Sequence, residues 1–278
     1  MNPKIAVIIV SYNCPEHIKR NLDSLRAQTR KPDQIIIVDN NSKDPSCLAP
    51  YKTEAEIVYN SVNTGFCAAN NEGLKKVESQ TNYVLFLNPD AFLTESFLEK
   101  ALEFMENPEN ANCGAMSGIL LGYDPEKEAP NGRYDSTGIF PTPYGKWFDR
   151  DQGQLINSHL YQTKEEVPAL CGALMLCRKE ALMNAAFKDK TVWDSTFFMY
   201  KDDIDLSLRL RKKGWKLMFV PELIAYHCRG WQANRSAMSK EARLGSARNE
   251  LRMHLRAKAY HFLPYSFAKY IGVKFLNL

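Results

Sequence analysis

Tyr83-Val84-Leu85-Phe86-Leu87-Asn88-Pro89-Asp90-Ala91-Phe92 is an apolar run that stops at an amide, a proline and a carboxylate. Aromatic and β-branched residues bounded by such a break predict a strand covered on both faces, and in an open α/β sheet ligands bind beyond the carboxyl ends of such strands. Asn88 and Asp90 would stand at that edge. Pro89 fixes its own φ and turns Asn88 away from helical geometry, so two oxygen-bearing side chains sit on a stiff turn, an arrangement suited to a hard cation. The competing reading is a strand-to-helix turn in which Asp90 only caps a helix beginning near Thr94.

Upstream, Lys4-Ile5-Ala6-Val7-Ile8-Ile9-Val10 reads as another buried parallel strand, followed by Ser11-Tyr12-Asn13-Cys14-Pro15, a turn with proline at the first helical position. Ile18, Leu22 and Leu25 recur at helical spacing and predict a helix to about Gln28. Gln34 to Val38 repeats the strand pattern and ends in Asp39-Asn40-Asn41-Ser42. Glu56 to Tyr59 is a short strand leading to Asn63-Thr64-Gly65-Phe66-Cys67-Ala68-Ala69-Asn70-Asn71, which opens a helix. Strands alternating with helices, with polar residues at the strand ends, predict an α/β fold: a doubly wound, mostly parallel sheet with helices on both faces.

Downstream, a helix is expected over Thr94 to Met105 and a buried strand over Cys113 to Leu121. From Gly122 to Glu166 the pattern dissolves among Pro125, Pro130, Pro141 and Pro143, so 123–166 is expected to be an irregular insertion covering the site. Val167 to Cys177 resumes as strand and Arg178 to Ala186 as a short helix. The aromatic-rich Val192 to Tyr200 then leads to Asp202-Asp203-Ile204-Asp205, where acids at the start, Arg209-Leu210-Arg211-Lys212-Lys213 at the end and Gly214 beyond fit the polarity of a helix. Trp215 to Val220 is a strand that Pro221 should end. Ala225-Tyr226-His227-Cys228-Arg229-Gly230 leads into a basic helical region from about Ser239 to His261. The expected organisation is a domain over 1–230 and a basic helical C-terminal extension over 231–278.

The chain has 278 residues, 45% hydrophobic and 24% charged, which fits a soluble globular protein and excludes disordered and fibrous classes. Its net charge of +4 is unevenly placed, since residues 228–278 hold ten Lys/Arg against two Asp/Glu. Seven cysteines form no Cys-x-x-Cys pair and several lie in apolar runs, so a reducing cytosol is the expected compartment. Ile5 to Val10 is too short for a signal-peptide core and Ala169 to Cys177 spans about half a membrane, so no crossing segment is expected.

Taken singly the polar clusters are ordinary: Asp39 reads as a turn residue, Asn63 to Asn71 as a helix cap, and the Asp202 group as an acidic first turn. Together they supply a sheet edge for a base and ribose, a cation site for phosphates and a carboxylate base. The loop before Asn70 has one glycine where a dinucleotide fingerprint has three, and no Gly-x-x-x-x-Gly-Lys-Ser/Thr occurs, so dehydrogenase and P-loop classes are not supported.

In order along the chain, Val7-Ile8-Ile9-Val10-Ser11-Tyr12-Asn13, Ile36-Ile37-Val38-Asp39-Asn40-Asn41-Ser42, Asn63-Thr64-Gly65-Phe66 with Asn70-Asn71, Leu87-Asn88-Pro89-Asp90-Ala91, Cys171-Gly172-Ala173, Phe198-Met199-Tyr200 through Asp205-Leu206, and Arg248-Asn249 resemble inverting family 2 glycosyltransferases of the GT-A fold, rhamnosyltransferase-like branch. The resemblance implies a nucleotide-sugar-binding half over 1–122 and an acceptor and base half over 167–230. It implies that Ser11, Tyr12, Asn13, Asp39, Asn41, Asn63, Gly65, Phe66, Asn70, Asn88, Asp90 and Arg248 bind the nucleotide-sugar. Asn88-Pro89-Asp90 stands at the family's Asp-x-Asp metal motif, so Asp90 and Asn88, with His227 nearby, would hold a divalent cation, Mg²⁺ or Mn²⁺. Gly172, Ala173, Trp193 and Tyr200 fall on the acceptor side. Asp203 matches the catalytic base. Two departures stand out: Asn88 replaces an aspartate and lowers the charge of the site, and Lys201-Asp202-Asp203 replaces an aromatic followed by Glu-Asp, which keeps Asp202 as the alternative base.

The implied reaction is a single displacement that inverts the anomeric carbon, with dTDP-rhamnose the first-choice donor and a UDP-sugar the second, and a glycan or lipid-linked glycan acceptor in bacterial-type cell-surface polysaccharide synthesis. The alternatives are a non-catalytic nucleotide-sugar-binding member of the fold, against which Asp90 and Asp203 speak, and a nucleotidyltransferase, which lacks its triphosphate loop here. Leu251 to Leu278 carries Arg252, Arg256, Lys258, Lys269 and Lys274 without an acid, interleaved with aromatics. Peripheral contact with an anionic membrane at the cytoplasmic face is favoured over packing against the domain, and nucleic acid is not expected.

Overall fold

A computed structural model describes residues 3–13, 15–228 and 239–276. Cys14, Arg229, Gly230 and the last two residues of the basic tail, all named above, lie outside the described residues. Strands β1 (Ile5–Ser11), β2 (Gln34–Asp39), β3 (Glu56–Tyr59) and β4 (Tyr83–Leu87) form the parallel half in the order β3-β2-β1-β4. The helices α1 (Pro15–Arg26) and α2 (Phe66–Lys76) connect them. Ile5, Ile8, Ile9, Val84, Leu85 and Phe86 are at most 1% exposed. Burying a side chain of that size is worth about 1.5–3 kcal/mol, so these runs carry the core and fix the register. Ile18, Leu22 and Leu25 present the predicted apolar stripe of α1 to it.

Beyond the parallel half lie β5 (Ala91–Leu93), α3 (Phe97–Glu106), β6 (Cys113–Asp124), β7 (Ala129–Ser136), β8 (Ile139–Pro141), β9 (Trp147–Asp149), β10 (Glu165–Glu166), β11 (Leu174–Arg178), α4 (Lys179–Ala185), α5 (Asp202–Lys212) and β12 (Lys216–His227). The main sheet runs β10-β12-β6-β11-β4-β1-β2-β3. The strands β6 and β12 run parallel to one another and to β4, with β11 antiparallel between β4 and β6. The expected mostly parallel sheet is therefore present, with reversed strands at β11, at the β10 edge, and at β5 and β7, which pair antiparallel with β12 and β6.

Three local expectations are corrected. Residues 123–166 are only partly irregular: β7 pairs antiparallel with β6, and β8 pairs with β9 as a separate ribbon, while 150–164 runs mostly as turns and bends. The exposed stretch of β7 is mostly polar and β8 and β9 are three residues each, so hydrophobic periodicity missed them. Pro221 does not end β12. The β6–β12 register shifts between Phe219 and Ile224, and a proline that lacks an N–H is tolerated within such an irregularity. The strand expected over Val167 to Cys177 begins only at Leu174; before it the chain is buried but irregular.

The C-terminal extension forms α6 (Lys240–Ala257), α7 (Leu263–Ile271) and a π-helical turn, Gly272–Leu276. It packs on the domain through polar contacts as well as apolar ones. Arg256 of α6 pairs with Asp205 of α5 at 2.6 Å and with Asp194. Trp147 of β9 donates its indole N–H to His254 Nε2 at 2.9 Å, and His254 Nδ1 lies 2.6 Å from the Ser266 hydroxyl. Among the described residues no helix is long and apolar enough to cross a membrane.

Candidate active site

The carboxyl ends of β1 and β2 are stitched into one edge. Asn13 adopts a left-handed backbone at φ 51°; its N–H donates to Ser42 Oγ at 2.9 Å and its Oδ1 accepts the Lys43 N–H at 2.8 Å. Asp39, 2% exposed, accepts the Ser42 N–H on Oδ2, while its other oxygen, Oδ1, is buried without a hydrogen-bond partner. A buried carboxylate oxygen left unsatisfied is costly unless a donor reaches it. Asn40 binds Asn63 and the Gly65 carbonyl, carrying the loop before α2 up to the same edge. Gly65 is required there: its φ is +83°, and a Cβ would stand 2.6 Å from the Phe198 carbonyl oxygen, which accepts the Phe66 N–H at 2.7 Å.

At the end of β4, Asn21 of α1, fully buried, donates to the carbonyls of Asn88 and Ala91 at 2.9 and 2.7 Å and clamps the Asn88-Pro89-Asp90 turn. Asp90 Oδ1 lies 3.2 Å from His227 Nε2, and His227 Nδ1 lies 2.8 Å from Asp135 Oδ2 on β7. His227 and Asp135 are 3% and 4% exposed, whereas a quarter of the Asp90 side chain reaches solvent. Burial pulls His227 down, but the hydrogen bonds and charges of Asp135 and Asp90 outweigh it and lift its pKa to about 9. Burial pushes Asp90 up, and the contact with His227 reverses that into a net lowering. Among the described residues no group of three or more His, Cys, Asp or Glu is placed to hold a metal ion; an anionic Asp90 beside an imidazole nitrogen backed by a second carboxylate is the pair whose chemistry suits a divalent cation, which would displace the imidazole proton. Asn88 offers an amide oxygen on the same turn.

Asp202 and Asp203 begin α5 immediately after Tyr200 and Lys201, both left-handed at φ 71° and 67°. Asp203 Oδ2 accepts the Gly172 N–H at 3.2 Å and Oδ1 the Ile204 N–H at 2.8 Å. Burial and then the charge of Asp149 push Asp203 up, making it a stronger base than an ordinary carboxylate. Burial also pushes Asp202 up, with the Asp203 charge adding to it. Asp202 is the more deeply enclosed of the two, bonded to the Cys67 thiol beneath. One short segment joins the Asn88-Pro89-Asp90 turn to Asp203: the Ala173 carbonyl accepts the Asn88 N–H at 2.9 Å while the neighbouring Gly172 N–H holds Asp203. A side chain at Gly172 would stand 3.2 Å from Asp203 Cβ.

Residues 6–184, more than half of the chain, match the model of glycosyl transferase family 2. The chain belongs to that family. This glycosyltransferase is 23% identical over 259 residues to N-acetylglucosaminyl-diphospho-decaprenol L-rhamnosyltransferase of Mycobacterium tuberculosis, covering 86% of this chain and 80% of that one. It is 27% identical over 249 residues to the rhamnosyltransferase WbbL of Escherichia coli, covering 86% and 88%. Among solved structures, GalNAc-T7 with UDP, GalNAc and Mn²⁺ superposes with a TM-score of 0.72 at 16% identity over 96% of this chain; the chain spans 51% of that protein's length. The mannosyltransferase PcManGT of Pyrobaculum calidifontis, with GDP-Man and Mn²⁺, gives 0.61 at 17% identity over 98% of this chain and 70% of that one. These likenesses establish the GT-A fold and an enzyme of the transferase class.

Within the glycosyltransferase the structure gathers Ser11, Asn13, Asp39, Asn63, Gly65 and Phe66 along the β1–β2 edge, with Tyr12 and Asn41 exposed beside them. Asn70 turns its amide to its own helix, donating to the Phe66 carbonyl at 3.0 Å. Arg248 is exposed on α6. Trp193 is not an acceptor-side surface: it is fully buried, edge-on to Phe66 and Phe86, because so large an apolar ring serves the core. Tyr200 is 41% exposed beside Asp203. Sequence reasoning missed Asn21, Asp135 and β7 as a whole, and for Asp135 the sequence carries no signal. Asn71, part of the Asn70-Asn71 pair but given no role from the sequence, clamps Val192 and Trp193 by accepting both N–H groups.

Proposed function

We propose that the glycosyltransferase moves a deoxyhexose, dTDP-rhamnose being the preferred donor and a UDP-sugar the next, to a hydroxyl of a glycan or lipid-linked glycan with inversion at the anomeric carbon. The observation that carries this reading is the Asn88–Ala173 and Gly172–Asp203 pair of hydrogen bonds, which ties a candidate diphosphate site to a candidate base across one dipeptide. Two rhamnosyltransferases, matched over 80% and 88% of their lengths, support the donor.

Asp39 Oδ1 accepts a nucleobase N–H, and the β1–β2 edge carries the ribose. Asp203 takes the proton of the acceptor hydroxyl as its oxygen bonds to the anomeric carbon and the bond to the diphosphate oxygen breaks. Asp90, His227 and Asn88 would hold a Mg²⁺ or Mn²⁺ ion, which supplies charge neutralisation to the leaving diphosphate. Asp135 keeps His227 Nε2 facing Asp90. The acceptor is placed from the side of Tyr200, Gly172 and Ala173.

The test is a thermal-shift screen of dTDP- and UDP-sugars with Mg²⁺ or Mn²⁺, followed by nucleotide release and NMR of the product's anomeric configuration. Stronger stabilisation by a UDP-sugar than by any dTDP-sugar overturns the donor, and retention overturns the mechanism. The extension supports a peripheral membrane location: Phe267, Phe275 and Leu276 are 57%, 65% and 67% exposed, Lys274 lies over the Phe275 ring, and no acid follows Glu250. Such a face binds anionic lipid at about 1 kcal/mol per nearby cation, so anionic liposomes should sediment the protein at low salt and release it at high salt. Protein that stays in the supernatant at low salt contradicts membrane contact.

A further inference from the structure

Two adjacent residues of α6 close on the turn that presents Asp203. The amide nitrogen of Asn249, 1% exposed, donates to the carbonyls of Met199 and Tyr200, both at 3.1 Å, which decides the orientation of the amide. The next residue, Glu250, is fully buried; one carboxylate oxygen lies 3.6 Å from Lys201 Nζ and the other 2.6 Å from Lys269 Nζ of α7. The two lysine side chains are 14% and 12% exposed, so the triad is shielded from solvent. The residues it grips, Tyr200 and Lys201, are consecutive left-handed residues without being glycine, a conformation that persists only where surrounding contacts enforce it. Lys201 also caps α5 without a side-chain hydrogen bond, leaving the first turn of α5 to be placed by its backbone.

We infer that Asn249, Glu250 and Lys269 are positioning residues for Asp203: the C-terminal helices hold the Tyr200–Lys201 turn in its left-handed form, and that turn aims the carboxylate. This rests on the reading of Asp203 as the base. The extension is then part of the catalytic apparatus although none of these three side chains touches a reacting atom. Lys269→Met removes one of the two cations from a buried carboxylate while keeping the stem, and Lys269→Arg keeps the charge.

The experiment measures hydrogen exchange of the full chain in peptides covering 196–206, with β1 and β4 peptides as internal controls, in the wild type, Asn249→Ala, Lys269→Met and Lys269→Arg. It is paired with steady-state dTDP release from dTDP-rhamnose. The expected result is faster exchange confined to 196–206 and a kcat lower by about 10-fold to 10²-fold at unchanged donor KM in Asn249→Ala and Lys269→Met, with Lys269→Arg close to wild type. Unchanged exchange at 196–206, or a loss that falls on donor KM instead of kcat, overturns the inference. If Asn249→Ala does not fold, the two Lys269 variants carry the test alone. A wild type that releases no dTDP rejects the donor assignment, and the exchange pattern still decides whether the turn is held from α6 and α7.

Discussion

The two halves of the sheet are held together by different physics. In β1, β2 and β4 the site edge is the end of continuous apolar strands, and its geometry comes from parallel ladders and short bonds between neighbouring loops. From β6 onward the site is set by buried charged and polar groups that meet across long sequence separations: His227 with Asp135 and Asp90, Arg256 with Asp205 and Asp194, Glu250 with Lys201 and Lys269. Hydrophobic burial is non-directional and insensitive to pH, whereas a buried ionic contact fixes orientation and fails when one partner is removed or titrated. The β1–β2 edge should therefore tolerate change that the Asp203 side does not.

The sharpest break of that contrast is Asp203→Asn. It keeps the shape and the acceptor oxygen facing Gly172 but removes the base, so turnover should fall by about 10²-fold to 10⁴-fold while the thermal shift produced by dTDP with Mn²⁺ stays as in the wild type. Near-wild-type turnover in Asp203→Asn together with loss in Asp202→Asn would move the base one residue back, into the more enclosed position.

A second effect separates the halves by pH. His254 is fully buried and satisfied as a neutral ring, accepting from Trp147 and bonded to Ser266. Burial depresses its pKa from 6.5 to about 4, with Glu250 pulling the other way. Because the folded value lies below the unfolded one, its contribution is complete above pH 6.5, fades as pH falls from there, and levels off below about 4. The full difference is about 3 kcal/mol, at 1.36 kcal/mol per unit. Urea midpoints between pH 7 and 4 should fall more steeply for the wild type than for His254→Gln. Equal slopes would show that the β9–α6–α7 junction is indifferent to this histidine.

The same difference decides what could be read in advance. The strands β1, β2 and β4 and the stripe of α1 are written in periodicity, and the polar residues at their ends followed from strand direction. The Asp202 helix was legible from its charge polarity. The strand β7 was not, because its first residues face solvent and its last three, including Asp135, are buried only by the partners they find elsewhere. Pro221 misled for a related reason: its effect depends on the register break that only the pairing with β6 reveals. The resemblance places Trp193 on the acceptor side, whereas its ring is fully buried, and a single chain position carries no information on which way a ring turns.

The smallest predicted effect tests whether a residue invisible to periodicity nevertheless tunes the site. Asp135 touches His227 on the nitrogen away from Asp90, so it fixes which imidazole nitrogen faces Asp90 without reaching the Asn88-Pro89-Asp90 turn itself. Asp135→Asn keeps the size and a hydrogen-bonding group but removes the charge that steadies the ring. Partners in this position typically change metal affinity by about 10-fold to 10²-fold, so Mn²⁺ titrated into the dTDP-bound protein should bind more weakly by that factor, while dTDP binding without metal stays the same. The fold should survive, since one neutral hydrogen bond replaces one charged contact in a strand whose pairing with β6 is untouched. A drop in metal-free dTDP binding of the same size would instead mean that Asp135 supports the whole β6–β7 edge, and the contrast between an apolar donor edge and an ionic second half would then extend to folding as well as to chemistry.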